Sequence, residues 1–272
     1  MSTSRTLAEH YQQSLRDRQV LERISTCYPG GATAYQLAPL DQLHIGGLAA
    51  STRLLEKLDA ATHPRVLDIG AGLGGLARLG AARGFAMTAF DITHRFSVLN
   101  AALGALAEHT PSYRVVTGDA RRLPFQGHTF DAVIFQHSLM NMPELAPVLE
   151  QTQRVLRPGG RLVLHELTRD NEAVALEYPV PWASGPAHSH LLSREALLER
   201  LTACGFKDVR VESQGDEARA WRARQREKEQ TRPAPPLSPR WVFGERFEVM
   251  GENLLKNLAN RAIDVVEISA CC

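Results

Sequence analysis

Residues 65–91, RVLDIGAGLGGLARLGAARGFAMTAFD, constrain the fold of this chain more than any other stretch. An apolar run, Val66 and Leu67 with Ile69, leads into a glycine-rich turn. An Ala/Leu-rich helical pattern follows over 73–83, and a second apolar run over 86–90 stops at the acid Asp91. Strand, tight turn, helix, strand and acid make a βαβ unit of the kind that holds a nucleoside. Glycines at alternate positions, Gly70, Gly72 and Gly74, let the backbone turn sharply and let a ligand approach it with no Cβ in between.

Two cofactors suit such a turn. Gly70, Gly72 and Gly75 satisfy G-x-G-x-x-G, and Asp91 stands where a ribose-binding acid belongs, which fits a nicotinamide dinucleotide. Asp68 argues against that choice. A carboxylate at the end of the first strand would face the pyrophosphate, and two like charges in a partly dry cleft repel by roughly several kcal/mol. S-adenosylmethionine (SAM) carries no phosphate, and its ammonium is attracted by the same acid. The D-x-G-x-G-x-G pattern of 68–74 therefore favours SAM, with S-adenosylhomocysteine (SAH) as the product.

Three further stretches join this one: GDARRLPFQGHTFDAVIFQHSLMNM (118–142), RVLRPGGRLVLHEL (154–167) and PVPWA (179–183). With them, residues 63–170 resemble a class I SAM-dependent methyltransferase. The likeness is greatest to the small-molecule branch that includes ubiquinone-pathway, sarcosine/dimethylglycine and natural-product methyltransferases. PVPWA and the segment DQLHIGG (41–47) share it more weakly than the other two. The resemblance implies an α/β, Rossmann-like fold: a seven-stranded, mostly parallel sheet with a terminal antiparallel hairpin and helices on both faces. It also implies cofactor contacts from Asp68, Gly70, Gly72, Gly74, Asp91 and Ile92. Asp119 would accept from the adenine amino group, and the backbone of Ala120 would serve a ring nitrogen. Gln136 would line the methionine end.

The length, 272 residues, suits one such domain with embellishments. We expect an N-terminal helix and lid over 1–47. The methyltransferase domain would fill 48–272, with insertion caps at about 168–193 and 214–260. The N-terminal helix is expected over 7–24, and 27–47 reads as a loop, long enough to serve as a lid. Further helices are expected over 48–58, 95–108, 143–156, 193–204 and 241–260, the last broken near Gly244 and Gly251. Strands are expected over 113–117, 130–135, 161–167, 206–211 and 262–268. The arginine-rich stretch 219–228 is interspersed with acids and reads as a solvated helical face rather than an RNA-binding stripe.

A formal net charge of +1 gives no general attraction to nucleic acid or anionic lipid. The polar start lacks a signal core, and no apolar run is long enough to span a bilayer. The four cysteines show no framework spacing, and Cys271 and Cys272 read as a dangling end, so a reduced, cytoplasmic monomer or homodimer is expected. His188 and His190 lack a third ligand at recognisable spacing, so no metal site is expected.

The expected partner is a small molecule. SAM is already electrophilic, and a base is needed only where the nucleophile must lose a proton. Many members of the resembling family have a histidine pair where this chain has Met140 and Asn141, so that base does not carry over. His137, at the end of the fourth strand, and His44, in the lid, are the candidates for base or orienter, with Asn141 as a hydrogen-bond donor. His165 and Glu166 alternate faces, and which of them looks into the cleft stays open. Tyr28 and Trp182 are candidate substrate-pocket residues. The expected reaction is transfer to nitrogen or oxygen. The alternatives are transfer to a carbon of a quinone-like ring, or a SAM-binding partner protein without chemistry.

Overall fold

In the computed structural model, which describes residues 15–107, 113–233 and 235–272, the apolar runs become the centre of one seven-stranded sheet. Its strands are β1 (Arg65–Ile69), β2 (Ala86–Asp91), β3 (Tyr113–Thr117), β4 (Phe130–Gln136), β5 (Leu156–Arg169), β6 (Lys207–Ser213) and β7 (Ile263–Cys271). The order is β3-β2-β1-β4-β5-β7-β6. Neighbours from β3 to β5 pair in parallel, and β7 is antiparallel to both β5 and β6. The order reverses between β1 and β4, and open α/β sheets bind ligands beside such a switch point, at the carboxyl ends of the strands.

Both faces of the central strands are covered, which explains their unbroken apolar runs. Val133 and Phe135 of β4 face a cluster with Val148 and Leu149 of α6 (Leu145–Val155) and Leu197 and Leu201 of α7 (Arg194–Ala203). Ala132 and Ile134 face the other way, toward Leu54 and Leu55 of α3 (Gly47–Glu56) and Leu76 and Leu79 of α4 (Gly75–Ala82). Each fully buried large side chain here contributes about 1.5–3 kcal/mol. The helix start of α7 is set by Ser193, whose hydroxyl accepts from the amide of Ala196 at 3.2 Å.

A third apolar cluster joins the N-terminal segment to the late insertion. Val20 and Ile24 of α1 (Asp17–Cys27) and Leu37 and Leu40 of α2 (Ala34–Asp41) meet Phe96 and Leu99 of α5 (His94–Leu106). Val242 and Phe243 of α9 (Arg240–Phe243) and Met250 of α10 (Phe247–Ala259) close it. The remaining helix, α8 (Gly215–Thr231), runs between β6 and this cap. Among the described residues no helix is long and apolar enough to cross a membrane.

Several expectations need correction. The segment 27–47 is not loop throughout: Thr33 and Gln36 form a reciprocal capping box that starts α2. Helix α8 is not merely a solvated face, because Ala218 and Arg222 are buried. Gly244, at φ +61°, interrupts the 241–260 helix, but the helix continues through Gly251. The C-terminal cysteines do not dangle: Cys271 pairs with Arg161 and Lys207 in the sheet, and the amide of Cys272 donates to Gly160 O at 2.9 Å. The part of the first expected helix over 7–14, and the end of the third at Glu108, lie outside the described residues.

Candidate active site

The carboxyl ends of β1, β2 and β4 open into a cavity of about 740 Å3. That lies within the range of small-molecule and cofactor sites, about 300–1,000 Å3. Its floor is the glycine turn. Gly70 takes φ +80°, and a Cβ there would stand 2.3 Å from Cβ of Ser138, so only glycine fits between β1 and the turn after β4. A Cβ on Gly72, at φ +52°, would meet nothing within 4 Å; this backbone faces the open cavity. The amide of Gly72 donates to Asp91 Oδ2 at 2.8 Å and that of Thr93 to Asp91 Oδ1 at 2.7 Å. Asp91 is thereby fixed as the acid that closes the turn.

Asp68 is 2% exposed, and its Oδ2 has no hydrogen-bond partner. Burial first, and then the neighbouring Asp91, push its carboxyl up to about 8. Burial also raises Asp91, against the two amides that favour its charged form. A buried carboxyl without a partner costs stability unless a ligand supplies one. The ammonium of SAM is such a partner, and the bare backbone at Gly72 gives its nucleoside room; the residues fit the cofactor.

Of the other expected cofactor residues, Ile92, Asp119, Ala120 and Gln136 line the cavity, and Gly74 does not. A Cβ on Gly74 would strike Asn100 Oδ1 at 2.0 Å and the Tyr113 hydroxyl at 2.3 Å. That glycine makes room for packing behind the turn, so its assignment to the cofactor is withdrawn. The Asp119 carboxylate is held by Arg121, whose Nη2 lies 2.7 Å from Oδ2, and this keeps it below the usual carboxylate range. The side chain of Gln136 accepts from the Ser51 hydroxyl at 3.1 Å, and its Nε2 is buried without a partner.

Three histidines meet at the other end of the turn. His137, just past β4, takes the left-handed backbone at φ +51°, a conformation that costs about 1–3 kcal/mol and recurs at functional sites. Its turn is clamped from behind, because Glu166 Oε1 accepts from the amides of Ser138 at 2.8 Å and Leu139 at 3.0 Å. Burial pushes Glu166 up to about 7. The His137 ring stacks on His165 of β5, with centroids 4.9 Å apart and planes 13° apart. His44 sits edge-on to both, at 5.8 Å from His137 and 5.9 Å from His165.

His44 Nδ1 donates to Ile45 O at 3.1 Å, and its Nε2 lies 2.8 Å from Gln42 Oε1 and 3.2 Å from Ser51 Oγ. Burial, followed by His165, lowers His44 to about 3. Burial, followed by His165 and His44, holds His137 well below 6.5. Both rings are therefore neutral at physiological pH, and His137 Nε2 is buried without a hydrogen-bond partner.

His44, His137, Asn141 and Trp182 all reach the cavity wall. Trp182 is 2% exposed, and its Nε1 donates to Ser189 Oγ at 3.0 Å. Tyr28 is not on that wall. It caps α1 and packs into the cluster with Ile24 and Leu37, so its substrate role is withdrawn. Among the described residues no group of three or more His, Cys, Asp or Glu is placed to hold a metal ion.

Other residues of the site were not singled out from the sequence. Helix α2 is fixed by Asp41, which pairs with Arg78 Nη2 at 2.5 Å in a fully buried contact. From α8, Trp221, Gln225 and Lys228 line the cavity at intervals of four and three, one helical face. That periodicity was present in the sequence, but the arginines around it masked it.

Residues 67–164 match the family model described as "Methyltransferase domain". The strand order and the acid-and-glycine turn agree with that match. Residues 67–164 form a methyltransferase domain of the class I SAM-dependent kind. A demethylmenaquinone methyltransferase of Tropheryma whipplei is 29% identical over 220 residues, which cover 74% of this chain and 87% of the relative. A sterol 4-C-methyltransferase of Caenorhabditis elegans is 30% identical over 119 residues, 44% of this chain. The match spans only about a third of that relative, 36% of its length. Among solved structures, the geranyl diphosphate C-methyltransferase of Streptomyces coelicolor, in complex with SAH, shares the fold with a TM-score of 0.72 at 16% identity. That superposition covers 100% of this chain and 98% of the other. The cofactor of this methyltransferase is SAM.

Proposed function

We propose that this methyltransferase transfers the methyl group to the hydroxyl oxygen of a small, largely apolar acceptor, with His137 as the general base. The observation that carries the reading is the neutral imidazole of His137 on the cavity wall, with a buried nitrogen that has no partner. Bound SAM supplies an electrophilic methyl, whose transfer breaks the S–CH3 bond, leaves its electron pair on sulfur and forms an O–CH3 bond. The residues of the chain do the rest. Trp182, Met140 and Leu254 give the acceptor an apolar wall, and Trp221 covers it from the late insertion. His137 takes the hydroxyl proton while the walls hold the oxygen at near-attack distance, roughly 3–3.5 Å. His44, held through Nδ1 by the carbonyl oxygen of Ile45, orients the pocket.

A cationic amine fits less well. Asp68 and Asp91 belong to the cofactor turn. The other carboxylates on the wall are paired: Asp41 with Arg78, Asp119 and Glu144 with Arg121, and Glu229 with Arg222. No spare carboxylate among the described residues would neutralise the amine.

Transfer to a ring carbon is the second reading. The relatives favour it, two of them being named for C-methylation and one for a demethylmenaquinone. A deprotonated ring hydroxyl is nucleophilic at both oxygen and the adjacent carbon, so the same base serves either outcome. Incubation with methyl-13C SAM and a panel of phenols and naphthohydroquinones tests both. The expected product carbon is an O–CH3, and His137→Gln is expected to lower kcat/KM by about 100-fold with SAM affinity unchanged. N-methyl products, or full turnover in both His137→Gln and His44→Gln, would overturn the reading.

A further inference from the structure

The end of β5 takes up three consecutive amides after β4. That of His137 donates to the carbonyl oxygen of His165 at 2.8 Å. Those of Ser138 and Leu139 donate to a single atom, Oε1 of Glu166, at 2.8 and 3.0 Å. The register explains why Glu166 stands there. Gln136, the last residue of β4, pairs with His165, so residue 166 lies one step beyond the end of β4, level with the turn. Glu166 is 1% exposed, and its second oxygen, Oε2, is buried without a partner.

Successive amides converge on one oxygen in a turn that contains a left-handed residue, and His137 is that residue, at φ +51°. The dependence runs both ways, because a histidine in the left-handed region persists only where its surroundings over-determine it. The same turn leans on the floor of the cavity. Ser138 Oγ donates to Ile69 O at 2.9 Å, and Ser138 Cβ fills the space that a Cβ on Gly70 would need. One carboxyl thus stands behind both the His137 ring and the contact of its turn with the cofactor glycines.

We propose that Glu166 is a positioning residue for methyl transfer: by gathering the amides of Ser138 and Leu139 on one oxygen it fixes the left-handed turn at His137, and with it the placement of that ring over the cofactor. The inference rests on His137 being the base. Glu166 does not line the cavity, so it acts on the reaction only through the turn. What the turn requires is an acceptor atom at this reach; with Oε2 unpartnered, a single oxygen does the holding. Without it the two amides lose their acceptor, His137 relaxes toward the right-handed region, and its ring swings off the acceptor hydroxyl. A carboxyl that merely fills space in the core would change stability and leave turnover of the folded enzyme alone.

The test compares Glu166→Gln, Glu166→Asp and Glu166→Leu in the full chain. Gln keeps an oxygen in place without the charge, Asp keeps the charge but is one methylene too short, and Leu keeps only the volume. With the phenol and naphthohydroquinone panel, kcat is expected to fall by up to about 100-fold in the Asp and Leu variants, with acceptor KM and SAH affinity within about twofold of wild type. Glu166→Gln is expected to stay within about tenfold, since its hydrogen bonds are neutral rather than charge-assisted. In a His137→Gln background, Glu166→Leu should cost nothing further. Amide hydrogen exchange in the SAH complex reads the turn without any acceptor: Ser138 and Leu139 should stay protected in Glu166→Gln and lose protection in the other two variants. Glu166→Asp carries the test should Glu166→Leu fail to fold. An Asp variant more active than the Gln variant, or a loss in Glu166→Leu that is undiminished in the His137→Gln background, would overturn the proposal. Unchanged exchange in the Asp and Leu variants sinks this inference alone. Altered exchange with His137→Gln fully active sinks the assigned base.

Discussion

Asp68 and Glu267 are both 2% exposed on the same sheet, and their carboxyls stand at opposite extremes. Asp68, at the cofactor turn, has an oxygen without a partner and is pushed up to about 8 by burial and by Asp91. Burial pushes Glu267 upward too, but His165 and Arg53 outweigh it and hold that carboxyl at about 2. The difference teaches what each acid is for. Glu267 is satisfied by the protein itself and belongs to its architecture. Asp68 is left unsatisfied, at a cost to the fold, and its partner must come from outside.

Breaking the contrast at its functional pole should have the larger effect. Asp68→Asn keeps the shape and removes the charge. We expect SAM affinity to fall by about 100-fold, since a charge-assisted contact is worth about 1.5–3 kcal/mol. The ligand-free protein should become more stable in the same variant. A carboxyl with a folded pKa above its unfolded value of 3.8 contributes stability only while protonated, and loses it as pH rises from about 4 through about 8. At pH 8 the midpoint of thermal unfolding of Asp68→Asn should therefore exceed that of the wild type. Calorimetric titration with SAH and thermal scans of the ligand-free protein check the two halves. Weaker binding with lower stability would erase the contrast.

The structural pole should respond in the opposite sense. Glu267→Gln leaves Arg53 and Lys57 without their inner partner. A buried ion pair broken on one side costs about 3–5 kcal/mol. Because the two cations retain 29% and 24% exposure, we expect the smaller figure of about 2 kcal/mol in denaturant unfolding at pH 7. The sign of the pH dependence is reversed. With its pKa depressed, Glu267 contributes its full stability above about pH 4.5 and loses it as pH falls toward 2. The gap between wild type and Glu267→Gln should close on acidification, whereas that between Asp68→Asn and wild type should close only near pH 4.

The same two regions differ in how much of them the sequence alone encodes. The strand, turn and acids around Asp68 were legible because a nucleoside-binding turn is local: the spacing of Asp68, Gly70, Gly72 and Asp91 within 24 residues encodes it. The alternation of faces along β4 and β5 likewise follows from a period of two. The Glu267 cluster was not legible. It joins residues 53, 57, 165 and 267, which meet only once the sheet order is known. Gly74 was misassigned because the motif does not reveal that its hydrogen faces Asn100 and Tyr113. Tyr28 was misassigned because a loop was expected where the Thr33–Gln36 capping box starts a helix, which turns the chain back over α5. The capping signature was visible in the sequence; its effect on the path of the chain was not.

If Asp68 awaits the ammonium of the cofactor, binding must drive off its proton. The direct measurement is calorimetry of SAH binding at pH 7 in two buffers of different ionisation enthalpy, repeated at pH 6 and 8. Release of close to one proton is expected at pH 7, with affinity falling by up to about tenfold for each pH unit below 8. Binding without proton release, at an affinity that does not change with pH, would contradict the account.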